Sequence, residues 1–170
     1  MLSRRPTDRS TREGFEALYR QDYAAVVALT YALCGRTGPA EDLAQEAFLV
    51  AHQRWGRVGG YDKPGAFVRR VAANLAVSYA RRKAAEVRAL SRLAGRAETT
   101  PVLEPPDTEF WQAVRSLGGR QAQVLALYYL EDRSAEDIGD ILGISAATVR
   151  VHLSRGRAAL EAMLRGRAGG

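Results

Sequence analysis

Apolar residues recur at helical spacing along almost the whole chain, and the breaks between the runs carry helix punctuation with no hairpin signal. Phe15, Leu18, Tyr19, Val26, Leu29 and Leu33 form the first run, opened by Ser10 and Glu13 at capping-box spacing and predicted to break near Asp22. Gly35 to Gly38 interrupt it. Pro39, Glu41 and Asp42 then predict the start of a second helix, whose core face is Leu43, Ala47, Phe48, Ala51 and Trp55. GRVGGYDKPG (56–65) is too rich in glycine for a helix and predicts an exposed loop. From Ala66 the helical period returns, with Phe67, Val71, Leu75 and Tyr79 expected inward.

AGRAETTPVLEPPDTE (94–109) breaks the period with prolines, threonines and acids, and reads as an exposed linker between two domains. Beyond it, Asp107 is placed to cap a helix carrying Phe110, Trp111 and Val114, and a further helix carries Val124, Leu127, Tyr128 and Leu130. The stretch SAEDIGDILGISAATVRVHLSRGRAAL (134–160) predicts two short amphipathic helices around a glycine. Ser134 and Asp137 form a capping box, Ile138, Ile141 and Leu142 make one apolar face, and Gly143 ends the helix. Gly139 leaves room for the second helix, which Ser145 caps and Val149 and Leu153 anchor. Small residues and then cations remain outward: Ala146, Ala147, Arg150, Val151 and Ser154, with Arg155 and Arg157 following. Cap, small residue, turn glycine and anchors in that order are the signature of a helix-turn-helix with its second helix facing a DNA groove. The fold class is therefore all-α, with two small helical domains (1–93 and 107–170) joined by a flexible acidic linker (94–106).

Charge sharpens this picture. The formal net charge is +6, which favours a polyanionic partner. The segment from Ala66 carries Arg69, Arg70, Arg81, Arg82, Lys83, Arg88 and Arg92 against Glu86 alone, and Arg70, Asn74, Val77, Arg81 and Arg88 fall on one stripe. In the glycine-rich loop, Tyr61, Asp62 and Lys63 are candidates for contact.

Other chemistry finds little support. Cys34 is the only cysteine, and His52 and His152 are the only histidines, so no disulfide, thiolate cluster, metal site or cofactor is expected. Glu41, Asp42 and Glu46 are ordinary helix-dipole partners rather than an acid–base pair. No enzyme is expected. No apolar run is long enough to span a bilayer and the N-terminus has no secretory core, so a cytoplasmic protein without membrane insertion is expected.

FEALYRQDY (15–23), AEDLAQEAFLVAHQRW (40–55), PGAFVRRVAANLAVSYARRK (64–83) and YYLEDRSAEDIGDILGISAATVRVHLSRGRAAL (128–160) together resemble, in order and spacing, the extracytoplasmic-function (ECF, group IV) sigma factors of bacterial RNA polymerase. GRQAQVLALYYLED (119–132) resembles the actinobacterial branch. The resemblance implies a transcription initiation factor whose partners are core RNA polymerase, bound one-to-one, promoter DNA and an anti-sigma factor. It places Asp42 and Gln45, with Glu46, on the core polymerase. It assigns minus-ten contacts to Tyr61, Asp62 and Lys63, in a loop that captures a flipped base, and to Arg70, Asn74, Arg81 and Arg82 on the following helix. The minus-thirty-five element falls to Ser145, Ala146, Ala147, Thr148, Arg150, Val151, Ser154, Arg155 and Arg157. From its place one turn into the helix, Arg150 can reach a guanine edge or a phosphate; base reading is expected of it, and phosphate contacts of Arg155 and Arg157.

Two departures from the family pattern stand out: Gly118 and Gly119 where proline is usual, which predicts a looser connection, and Phe67 where tryptophan is frequent. The competing reading is a stand-alone helix-turn-helix repressor with an N-terminal dimerisation or ligand domain. It leaves the AEDLAQ face and the basic helix around Asn74 without a purpose.

Overall fold

A computed structural model describes residues 8–94 and 108–168. The expected linker, apart from Ala94, and the cap expected of Asp107 lie outside the described residues. Among the described residues the chain is all-α: α1 (Asp8–Cys34), α2 (Thr37–Gln53), α3 (Trp55–Val58), α4 (Pro64–Ala94), α5 (Thr108–Ser116), α6 (Gly119–Glu131), α7 (Ala135–Leu142) and α8 (Ala146–Ala168).

Local chemistry accounts for where these helices begin and end, and corrects several boundaries. α1 is already helical from Asp8, so Ser10 lies inside it and opens nothing. It also runs unbroken past Asp22, whose carboxylate is held by Arg69 at 3.0 Å instead of competing for its own backbone. α2 starts at Thr37 and carries Pro39 in its first turn, where a missing N–H leaves no intrahelical bond unmade. The glycine-rich loop is shorter than expected. Its first residues wind into α3 because Trp55 is buried and the Val58 and Gly59 amides donate to the Arg54 and Trp55 carbonyls at 2.9 and 2.8 Å.

Helices α1, α2 and α4 pack around Val26, Ala44, Ala47, Phe48, Ala51, Val68 and Ala72. The deepest stripe of α4 is Val68, Ala72, Ala73 and Ala76, while Phe67, Val71, Leu75 and Tyr79, expected at the centre, are half-buried flanks. The reason is geometric: α4 is covered on one side by α1 and α2 and on the other by α6 and α7, and small residues fit where neighbouring helices approach most closely.

The helices of the two expected domains share an apolar cluster. Leu29 and Leu33 of α1 and Ala73 and Ala76 of α4 belong to the same core as Val114, Leu125, Ile141 and Leu153. The buried core thus runs from α1 and α4 into the helices that follow the linker. Gly119, expected to loosen the chain, instead permits a close approach: a Cβ there would stand 2.7 Å from both Val77 Cγ1 and Arg81 Nη2 of α4.

Candidate nucleic-acid interface

The helix-turn-helix is built as its sequence implies. Ser134 Oγ accepts the Asp137 N–H at 3.1 Å and starts α7. Gly143 takes φ 69, and the Gly143 and Ile144 amides both donate to the Gly139 carbonyl, at 2.8 and 3.1 Å, closing the helix end. A Cβ on Gly139 would lie 2.6 Å from the Ile144 carbonyl oxygen, so glycine is what lets the turn fold back over α7. Ser145 Oγ accepts the Thr148 N–H at 3.1 Å and opens α8. Each such cap contributes about 1 kcal/mol.

Val149 and Leu153 are buried against Ile138, Ile141 and Leu142. This fixes which face of α8 is left outside. Ser145, Ala147, Thr148, Arg150, Val151, Ser154, Arg155 and Arg157 are exposed and Ala146 is half-buried. Arg150 forms an ion pair with Glu136 of α7. The Arg157 guanidinium lies 4.7 Å from the centroid of the Tyr128 ring and donates to the Tyr129 hydroxyl at 3.1 Å, and this hydrogen bond raises its pKa. His152 faces inward and is half-buried; burial first, then Arg120 and Arg155, push its pKa down and keep it neutral at neutral pH.

On α2, Asp42, Gln45 and Glu46 are exposed while Leu43, Ala44, Ala47 and Phe48 are buried, so the AEDLAQ motif presents a polar face one turn long. Tyr61, Asp62 and Lys63 are exposed in the loop before α4. With Ala66, Phe67 and Arg70 they line an open cavity of about 300 Å³, whose remaining wall is Asp140 and Ile141 of α7. Arg81 and Arg82 are exposed further along α4.

Part of the expected cationic stripe is already occupied. Lys63 Nζ donates to Asp137 Oδ1 at 3.0 Å and Asp140 Oδ2 at 3.3 Å. The hydrogen bond with Asp137 contributes most to raising the Lys63 pKa and to lowering that of Asp137. Arg70 Nε donates to the Ile141 carbonyl at 2.8 Å, and its guanidinium lies against the Gly143 turn. Gln123 Nε2 of α6 donates to Asn74 Oδ1 at 2.9 Å. Asp137 and Asp140 of α7 thus face Lys63 at the start of α4, while Glu136 faces Arg150 of α8.

Arg69 departs furthest from expectation. Grouped in the sequence with the surface cations, it is 5% exposed. It donates to Asp22 Oδ2 at 3.0 Å and to Glu131 Oε2 at 2.6 Å, and Glu131 Oε2 also accepts from Arg133 at 2.9 Å. Burial is the largest single influence on Arg69 and opposes its charge, but Glu131 and Asp22 together outweigh it and raise its pKa. One signal was available: Arg69, Ala72, Ala73 and Ala76 share the spacing of a single helical face.

A buried-anchor turn, a capped second helix and an outward row of short and cationic side chains define a helix-turn-helix protein, here joined to a three-helix unit with a cationic helix of its own. Residues 107–160 match the family model "Sigma-70, region 4" and residues 18–86 match "Sigma-70 region 2". The chain is 28% identical over 155 residues to the ECF RNA polymerase sigma factor SigW of Bacillus subtilis, covering 82% of this chain and 83% of the relative. It is 29% identical over 148 residues to the RNA polymerase sigma-E factor of Streptomyces antibioticus, covering 86% and 82%. In fold it is similar to the sigma factor RpoE of Bartonella quintana, solved in complex with the anti-sigma factor NepR, with a TM-score of 0.64 and 22% identity over 89% of this chain and 96% of that one.

The chain belongs to the RNA polymerase sigma factors of the ECF type, and its function is that of an alternative sigma factor in promoter recognition. These matches do not favour the stand-alone repressor. No helix among the described residues is long and apolar enough to cross a membrane.

Proposed function

We propose that this sigma factor divides promoter recognition between its two helical units: residues 1–93 as region 2, 94–106 as linker and 107–170 as region 4. In this reading α8 enters the major groove of the minus-thirty-five element. Arg150 reads a base edge there, Arg155 and Arg157 take phosphates, and Ser145, Ala146, Ala147, Thr148, Val151 and Ser154 lie along the groove. The Tyr61–Lys63 loop and its cavity receive a flipped base of the minus-ten element. Arg70, Asn74, Arg81 and Arg82 hold the upstream edge of the melted strand. Asp42, Gln45 and Glu46 form the contact to core polymerase.

The observation that carries this reading is the exposed row of α8, held outward by Val149 and Leu153 beneath it. Flipping a base costs roughly a few kcal/mol of stacking and pairing, so a factor that melts DNA needs both core polymerase and a second anchor on the duplex. The two helical units supply such a division. No catalytic step falls to the chain, and it works in the bacterial cytoplasm as a monomer or a one-to-one complex. An anti-sigma factor is the remaining partner, by analogy with the fold relative solved with NepR. The segment 119–132 supports an actinobacterial origin.

The test is reconstituted transcription with purified core polymerase and mapping of transcript starts. New starts sharing upstream elements, dependent on this chain, are expected. Tight binding of the chain alone to duplex DNA as a dimer, with no new transcripts, would overturn the reading.

A further inference from the structure

We propose that the cavity between α4 and the α5–α6 connection is a binding site for a small aliphatic monocarboxylate, with Arg81 and Arg115 as its anion contacts. The promoter reading leaves this cavity unassigned, although it shares Arg81.

The walls are apolar and come from separate helices. Leu33 of α1, Val77 and Ala84 of α4, Leu117 before α6 and Ala122 of α6 line a space of about 110 Å³. Arg81 of α4 and Arg115 of α5 add the only charges to the lining, and no acid belongs to it among the described residues.

Each guanidinium is seated on a glycine. A Cβ at Gly119 would stand 2.7 Å from Arg81 Nη2, and one at Gly35 would stand 2.9 Å from Arg115 Cζ. A larger residue at either place would push the cation aside. Arg115 is fixed further by donating from Nη1 to the Ala32 carbonyl at 3.1 Å, a neutral acceptor that leaves the charge of the guanidinium in place. Arg81 is exposed and forms the rim.

Two cations over apolar walls define the complement. A carboxylate takes charge-assisted hydrogen bonds from guanidinium groups and offsets the repulsion between them. An aliphatic tail then covers Leu33, Val77 and Leu117, whereas inorganic phosphate, polar on every side, would lose hydration against them. The volume sets the length. A water occupies about 30 Å³, so about 110 Å³ holds roughly four such volumes, the size of an acid of about three to five carbons.

The probe is sodium butyrate, added to the full-length chain at constant ionic strength with sodium chloride as balance. Because Arg81 also lies on the stripe assigned to the minus-ten strand, binding is read without DNA or polymerase, so failure here leaves the promoter reading standing. Butyrate is expected to shift the methyl resonances of Leu33, Val77 and Leu117 saturably, with those of Val26 and Val68 in the other apolar cluster unmoved. At about ten times the dissociation constant so measured, the thermal midpoint should rise by about 3–6 °C. Acetate, shorter by two methylenes, should bind roughly ten-fold more weakly. Butyramide, similar in shape but uncharged, should give no saturable shift.

Arg81→Gln should weaken butyrate binding about five- to ten-fold. Ala84→Leu, which fills the mouth of the cavity from an exposed position, should abolish binding while keeping the native helical content. Butyramide binding as well as butyrate would remove the charge from recognition, and inorganic phosphate binding as well would remove the apolar walls; either result overturns the site. Unchanged butyrate affinity in both variants, or shifts that spread to Val26 and Val68 without saturating, would reduce the effect to one of salt and refute the proposal.

Discussion

Gln123 of α6, only 4% exposed, donates its side-chain amide to the Asn74 side-chain oxygen of α4 at 2.9 Å. The two residues share a hydrogen bond but have opposite expected roles. Gln123→Ala removes a bond worth about 1 kcal/mol net and should lower the urea midpoint modestly, leaving transcription by the holoenzyme intact. Asn74→Ala should impair opening of duplex promoters more than binding of pre-melted ones, because pre-melting removes the strand-separation cost. Permanganate reactivity of promoter thymines distinguishes the two. Identical losses on duplex and pre-melted templates would reduce Asn74 to a packing residue.

Arg69 predicts a purely structural phenotype. Removing it strands Asp22 and Glu131, both largely buried, with Asp22 losing this ion pair and Glu131 keeping only Arg133. Breaking a buried pair from one side costs about 3–5 kcal/mol, so Arg69→Ala should unfold at markedly lower urea, monitored by circular dichroism. Arg82→Ala, an exposed cation on the same helix, should not change the unfolding free energy by more than about 0.5 kcal/mol. Equal stability of the Arg69 variant would contradict the buried triad.

Those two residues mark where sequence reasoning succeeds and where it stops. The helix-turn-helix was legible almost atom for atom, because its devices are local: Ser134 caps three residues on, Gly143 turns where it stands, and Val149 and Leu153 follow a helical period. The exposed AEDLAQ face was legible for the same reason. What the sequence could not show was the partner of each α4 side chain. Glu131 lies 62 positions from Arg69 and Asp137 lies 74 from Lys63, and no periodicity encodes which distant acid closes on which cation. Asp22 was misread as a helix breaker for want of the same long-range fact.

The polar face of α2 carries its own prediction. Asp42 and Gln45 are exposed one turn apart over buried Leu43 and Ala44, so truncating them leaves the bundle beneath untouched. Asp42→Ala with Gln45→Ala should keep the native helical content and thermal midpoint while weakening the complex with core polymerase, measured by fluorescence titration. Unchanged affinity for core would remove this face from the polymerase contact.

Arg150 stands where α8 can choose between two kinds of contact. Ser145 caps the helix, Val149 is buried one position earlier, and the Arg150 side chain remains 59% exposed, paired with Glu136. An exposed pair of this kind contributes at most about 1 kcal/mol, too little to keep Arg150 from a guanine edge once DNA is in place. Losing a bidentate base contact costs about 1–3 kcal/mol and relaxes preference at one base pair, whereas losing a phosphate contact weakens all sites alike and lowers the salt slope by about one. Holoenzyme carrying Arg150→Ala should therefore lose discrimination at a single position when titrated against single-base changes in the minus-thirty-five element at two salt concentrations. Arg155→Ala should weaken every site evenly and flatten the salt dependence. A uniform loss for Arg150→Ala would move it to the phosphate contacts, and no loss for either variant would take α8 out of the groove altogether.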